Sequence, residues 1–155
     1  MAENRSGRRS AASEGRPSAS SAVVRLRMRN TPRRDTPEEL AIRSALHRLG
    51  FRFRVDATVM EGLRTRADLV FRTARVAVFV DGCFWHGCPQ HGTWPKANAD
   101  WWRAKIRDNR ARDTRTNLAL RRAGWLVIRI WAHRQPDDAA KQIAGVLRRR
   151  LNSLP

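Results

Sequence analysis

Between Asp81 and Trp94 the sequence reads DGCFWHGCPQHGTW, a stretch that holds both cysteines and two of the four histidines of the chain. Cys83, Cys88 and His91 form the spacing C-x4-C-x2-H, and His133 arrives further on, just past an apolar run. Two thiolates and two imidazoles are the donor set of a closed tetrahedral zinc site. The competing readings are a pair of reduced core thiols or a small disulfide loop. Histidines at both remaining positions favour the metal, as do Gly87, Pro89 and Gly92, which supply the tight turns that fold Cys88 and His91 back toward one ion.

A second set of groups suits different chemistry. Asp68 opens an apolar strand in RADLV, where a carboxylate is costly to bury unless it is paired or metal-bound. Its alternative role is a cap or turn. Asp81 closes VAVFVD, and His86 sits on the loop leaving that strand. Carboxylate oxygens are hard ligands suited to Mg2+, and a near-neutral imidazole can take a proton from water, so Asp68, Asp81 and His86 together are equipment for phosphodiester hydrolysis. A histidine beside Phe84 and Trp85 can equally be a polar edge satisfied by a hydrogen bond, with the aromatics serving the core. Four protein ligands leave zinc no open position for water, so hydrolysis falls to a separate hard cation and zinc is a structural strut.

These residues need elements to position them. Thr36-Pro37-Glu38-Glu39 predicts a helix start, with Thr36 as N-cap, Pro37 at the first helical position and Glu39 at the capping-box position. Leu40, Ile42, Ala45, Leu46 and Leu49 continue it as an apolar stripe, and Gly50 ends it. FRFRV, ADLVF and VAVFV read as three strands, a charged helix follows from Ala99 to Ala123, WLVIRIW is a further strand, and DDAAKQIAGVLRRRLNSL closes the chain as an amphipathic helix. That order implies an α/β domain with a central sheet covered by helices.

The 155 residues are material for one domain, expected over residues 22–155, and 41% hydrophobic content is enough for a core. Residues 1–21 are rich in Ser, Ala, Gly, Arg and Glu without apolar periodicity, and are expected to form a disordered basic tail. A net charge of +18, carried mainly by arginine, points to nucleic acid as the partner and to salt-dependent binding. No apolar stretch has the length of roughly 20 residues that spans a bilayer, and no apolar segment follows the basic start, so a cytoplasmic protein without membrane association is expected.

The run DGCFWHGCPQHGTWPKANADWW, with RRDTPEE upstream and GWLVIRIWAH downstream, resembles the very short patch repair (Vsr) DNA mismatch endonucleases, over Val24 to about Arg150. The resemblance implies a restriction-endonuclease-like fold, a variant of the PD-(D/E)XK group, with a central mixed sheet and a structural zinc. It implies Mg2+-dependent nicking of duplex DNA on the 5′ side of the thymine in T·G mismatches left by deamination of 5-methylcytosine. In the D/E-x-K pattern a lysine follows the second acid by two residues; here Asp81-Gly82-Cys83 puts a zinc ligand in that slot.

Carried onto this chain, the resemblance makes Asp68 the magnesium-binding aspartate, Val80 the residue offering a backbone carbonyl to that ion, and His86 the general base. Asp81 falls where some relatives have histidine, leaving open whether it binds metal, orients His86 or shapes the site. Glu39 matches an acid near the site on the first helix, and Cys83, Cys88, His91 and His133 match the zinc positions. Phe84 and Trp85 match aromatics driven into the duplex beside the mismatch, and Met28 matches a wedge from the opposite groove. A monomer acting at the nucleoid is expected, with other mismatch-repair proteins as candidate partners. Two further readings are a zinc-stabilised DNA-binding protein without cleavage and a Vsr-like nuclease with a different DNA target.

Overall fold

The computed structural model describes residues 34–153 and, ahead of them, the isolated positions Ala22, Leu26 and Asn30. The tail expected over residues 1–21, and Met28, lie outside the described residues.

Helix α1 spans Pro37–Arg48 and begins as the sequence predicts. Thr36 is the N-cap, and its hydroxyl accepts the Glu39 N–H at 3.3 Å. Glu39 departs from a regular capping box: its carboxylate accepts the N–H of Asp35, one residue further back, at 2.9 Å. At the other end Gly50 takes a left-handed conformation (φ 85°), donating to His47 O while Phe51 N–H reaches Leu46 O at 3.1 Å. That turn explains a shift in the next strand. FRFRV was expected to pair from Phe51, but β1 runs Arg54–Thr58, because the Phe51 amide is used by the helix cap. Phe51 and Phe53 serve as core instead, Phe53 stacking on His47 at 4.6 Å.

β2 (Arg66–Phe71), β3 (Val76–Asp81) and β4 (Leu126–Trp131) complete a four-stranded sheet in the order β1-β2-β3-β4. The first two pairings are antiparallel, and β3 pairs with β4 in parallel. The crossover that parallel pairing requires is helix α2, Ala99–Arg122, and helix α3, Pro136–Asn152, follows β4. The result is the expected mixed sheet flanked by helices. Strand alternation sends Leu69, Val76, Val78, Ile128 and Ile130 to one face, under Ile42, Leu46, Ile143 and Leu147 of α1 and α3. Val70, Ala77 and Phe79 go to the other face with Leu120 of α2 and Trp125.

β2 breaks its own alternation at one residue. Ala67 and Leu69 should share a face, yet Ala67 belongs to the cluster beneath α2 and Leu69 to the cluster beneath α1 and α3. Between them stands Asp68. The β1–β2 ladder pairs Val55 with Leu69 and Ala57 with Ala67, skipping the level of Asp56 and Asp68, and Asp56 has a left-handed φ of 44°. The β2–β3 ladder stops one residue earlier, at Leu69↔Val78. Asp68 therefore occupies the point where the sheet opens on both sides. Among the described residues no helix is long and apolar enough to cross a membrane.

Leu46 is 0% exposed and Leu40, on the same helix, is 50% exposed. Leu46→Ala is expected to cost about 2–5 kcal/mol and Leu40→Ala under about 0.5 kcal/mol in urea denaturation. Equal losses would show that α1 does not seat on the sheet in this orientation.

Candidate active site

The gap in the sheet is filled by the Asp68 side chain itself. Its Oδ2 accepts the Val80 N–H at 2.6 Å, taking over a backbone donor that the ladder has released. Burial pushes the Asp68 carboxyl up to about 6, against the pull of that hydrogen bond, and the charges of Glu39 and Asp81 push the same way. The other acids of this region have cations. Glu39, buried on α1, pairs with Arg43 at 3.0 Å. Asp81, buried at the end of β3, receives Arg129 Nε at 2.7 Å and Nη2 at 2.8 Å. Asp68 forms no ion pair among the described residues. A half-buried carboxylate with no ion pair of its own, beside two other acids and with the Arg43 charge offsetting only part of the penalty, is the electrostatic situation that a divalent cation relieves.

His86 is held on the α2 side. Its Nδ1 lies 2.6 Å from Asp113 Oδ2 and 3.8 Å from Asp81 Oδ1. A proton on Nδ1 directed at Asp113 leaves Nε2 as a free acceptor, the tautomer a general base requires. Asp81 links the two halves of the site, since its charge bears on Asp68 and its carboxylate lies next to the imidazole. Both its oxygens are engaged by Arg129, and Asp81, His86 and Asp113 bring donor atoms within 4.8 Å of one another, a group that could also hold a metal ion.

The zinc candidates also converge. One donor atom from each of Cys83, Cys88, His91 and His133 lies within 4.8 Å of the others. His133 Nδ1 stands 3.1 Å from Cys83 Sγ and 3.7 Å from Cys88 Sγ. Tetrahedral zinc with Zn–S of about 2.3 Å and Zn–N of about 2.0–2.1 Å sets ligand–ligand separations of about 3.3–3.8 Å, so this cluster fits such an ion with small side-chain adjustments. β3 delivers Cys83 and parallel β4 delivers His133, and the Ala132 N–H bond to Asp81 O at 2.9 Å keeps the two strand exits together. The loop then turns back on itself through Cys88 N–H to Cys83 O, 2.8 Å, and Gly92 N–H to Cys88 O, 2.8 Å. Gly92 is required here, because a Cβ at that position would lie 2.4 Å from the Cys88 carbonyl oxygen. Desolvation pushes the Cys83 thiol up; at Cys88 it acts the same way but is outweighed by the His91 and Gln90 amides, which hold that thiol below its ordinary value.

Phe84 and Trp85 are half-buried and meet each other edge-to-face at 5.2 Å. Both contact the buried Trp102 of α2, at 5.0 and 5.9 Å. The segment between the zinc cluster and His86 is clamped from the same helix: Asn109 donates to Trp85 O at 3.0 Å, and Arg110 donates to His86 O and Gly87 O at 3.1 and 2.5 Å. Asn109, Asp113 and Asn117 recur every four residues along α2, one polar line aimed at the site. The sequence reading missed all three, and Arg129 with them. The four-residue interval was the available signal, but in a charged helix it resembles a solvated face.

The family profile described as DNA mismatch endonuclease Vsr matches residues 20–91. The type II nicking enzyme V.NaeI of Lentzea aerocolonigenes is 43% identical over 122 residues, 77% of this chain and 74% of that protein. V.XorIIP, a type II nicking enzyme of Xanthomonas oryzae pv. oryzae, is 42% identical over 109 residues, 69% of this chain and 77% of its own length. DNA mismatch endonuclease Vsr of Escherichia coli K12 is 34% identical over 108 residues, 67% and 65% of the two chains. The relatives are named as nicking and mismatch endonucleases, which makes the class a DNA endonuclease. The chain belongs to the Vsr family of DNA endonucleases.

The lone charge on Asp68 has a measurable consequence in the metal-free protein. Its folded-state value, about 6, lies above the ordinary 3.8, so the folded protein retains a proton that the unfolded chain has lost between those values. Stability should fall as pH rises from about 4 to about 6 and then level off. Asparagine can still accept the Val80 N–H but never ionises. In EDTA, Asp68→Asn is expected to be more stable than the parent by about 3 kcal/mol above about pH 7, with the difference vanishing near pH 4. Denaturation curves that differ by the same amount at both pH values would contradict this account.

Proposed function

We propose that the protein nicks duplex DNA on the 5′ side of the thymine in T·G mismatches left by deamination of 5-methylcytosine, by Mg2+-dependent hydrolysis at Asp68. The observation that carries the reading is the half-buried Asp68 carboxylate, which among the described residues has no ion-pair partner and stands where the sheet opens. Asp68 and the Val80 carbonyl would hold a magnesium ion, which when bound would supply the positive charge that the scissile phosphate and its attacking water require. His86, its Nδ1 proton committed to Asp113, accepts the water's proton at Nε2. Glu39 and Asp81 hold negative charge near Asp68 and raise its demand for a cation.

Zinc at Cys83, Cys88, His91 and His133 acts as a strut that fixes the segment Phe84-Trp85-His86 to the exits of β3 and β4. Phe84 and Trp85 enter the duplex beside the mismatch, with Met28 wedging from the opposite groove; unstacking costs a few kcal/mol per step and less at a mismatched pair, which gives selectivity. The enzyme works as a monomer at the nucleoid, with other mismatch-repair proteins as partners. A second reading keeps the chemistry and changes the target: V.NaeI and V.XorIIP, named as type II nicking enzymes, are more similar to this chain than the Escherichia coli mismatch endonuclease is.

Two experiments test these statements. Duplexes carrying every mismatch in several sequence contexts, incubated with Mg2+, are expected to be nicked at T·G and left intact when fully paired, with Asp68→Ala and His86→Ala each reducing the rate by at least about 100-fold. Cutting of paired DNA at a fixed sequence would select the second reading, and an inert parent protein would select a DNA binder. Removing zinc with a chelator, or Cys88→Ala, is expected to lower Tm by several degrees before it alters Mg2+ dependence, because a structural metal contributes directly to folding. An unchanged Tm after metal removal would rule out the strut.

A further inference from the structure

Among the described residues Arg129 is the one cation in contact with both acids beside His86. Its Nε and Nη2 occupy the two oxygens of Asp81, at 2.7 and 2.8 Å. Nη2 also reaches Asp113 Oδ1 at 3.1 Å, while Asp113 Oδ2 lies 2.6 Å from His86 Nδ1. The guanidinium is itself fixed: Nη1 donates to Asn117 Oδ1 at 3.1 Å, and its carbon lies 4.8 Å from the centre of the Phe79 ring. It is partly buried, and neither the motifs nor the resemblance assigns it a role.

We propose that Arg129 is a positioning residue of the nicking reaction, selecting which carboxylate holds the His86 imidazole and keeping Asp81 away from the cation at Asp68. The inference rests on the reading of His86 as the base. Two acids lie near Nδ1, at 2.6 and 3.8 Å, and either could accept its proton. Arg129 biases the choice by engaging both oxygens of Asp81 and only one of Asp113, so the unengaged Asp113 Oδ2, at 2.6 Å, is the stronger acceptor and favours one ring orientation. The same bidentate grip holds the Asp81 carboxylate against β4, opposing its rotation toward Asp68. Only a planar fork can do both jobs; an ammonium in its place is a point charge that cannot bridge two carboxylates in fixed geometry.

Single-turnover nicking, with enzyme saturating and the duplex that the parent cuts fastest as substrate, separates this role from folding. Arg129→Lys is expected to slow the step by about 10- to 100-fold, with the Kd for that duplex, measured with Ca2+ in place of Mg2+, changed less than about threefold. In an Asp113→Asn background the same substitution should slow the step by less than about threefold more, because both act through one imidazole. Asn117→Ala, which frees the guanidinium without removing its charge, should give a smaller loss with the same non-additive pattern, and decides the matter if Arg129→Lys fails to fold. Unchanged rates, losses that multiply with Asp113→Asn, or a loss confined to Kd would overturn the proposal. His86→Ala in the same assay distinguishes the failures: nicking that survives it removes the base assignment and this inference together, whereas nicking abolished by it alongside a fully active Arg129→Lys removes this inference alone.

Discussion

A carboxylate that loses water must find compensation, and around Asp68 the compensation is incomplete by one positive charge. Its neighbours show what completion looks like. Glu39 has Arg43 one turn along the same helix, and Asp81 has a guanidinium across the parallel strand pair. Asp68 has a single backbone N–H, which offsets part of the desolvation but none of the charge. The metal-free fold therefore carries a local instability that its two apolar layers must absorb.

The geometry of the sheet follows from the same constraint. A regular β2 would bury Asp68 in one of the two apolar clusters, at a cost of several kcal/mol for an unpaired charge. Interrupting the β1 ladder at Asp56 and ending the β3 ladder at Val78 lets the strand turn over, so Ala67 and Leu69 pack in opposite clusters and Asp68 faces neither. The hydrogen bond that ladder termination releases, from Val80, is the one Asp68 uses. Backbone irregularity and carboxylate position are one device.

How much of this the sequence shows depends on the range of the interaction. The first helix is legible from Thr36 to Gly50 because caps and apolar stripe are local patterns. The four candidate zinc donors are legible because three lie within nine residues and the fourth follows a strand that must neighbour the first. β1 was misplaced because FRFRV has a good alternating pattern, and only the helix cap and the stacking of Phe53 on His47 take its first residues out of the ladder. Asp113, Asn117 and Arg129 were not legible at all. Each is an ordinary polar residue on a surface-rich helix or a strand, and its meaning depends on parallel pairing of β3 with β4, which brings Arg129 level with Phe79. The turnover of β2 at Asp68 was equally hidden, since no local residue pattern encodes a ladder that stops on both sides.

The placement of the aromatics argues for coupling between recognition and chemistry. Phe84 and Trp85 occupy the two positions between Cys83 and His86, and their backbone is gripped by Asn109 and Arg110 while their rings lean on Trp102. On the proposed reading these rings must leave part of that contact to enter a duplex, and T-shaped aromatic contacts of about 0.5–1.5 kcal/mol each are weak enough to exchange for base stacking of comparable strength. His86 cannot be indifferent to that exchange. It is tethered to the same segment by backbone and to α2 by Asp113, so a shift of Trp85 is transmitted to the imidazole unless the helix holds it in place. On that reading a zinc ion held by Cys83, Cys88, His91 and His133 would pin the segment at its ends while Asp113 holds the imidazole, confining the movement to the rings. On the proposed reading that division would let the loop test the stacking of a base pair while the imidazole proposed to take the water's proton stays aligned.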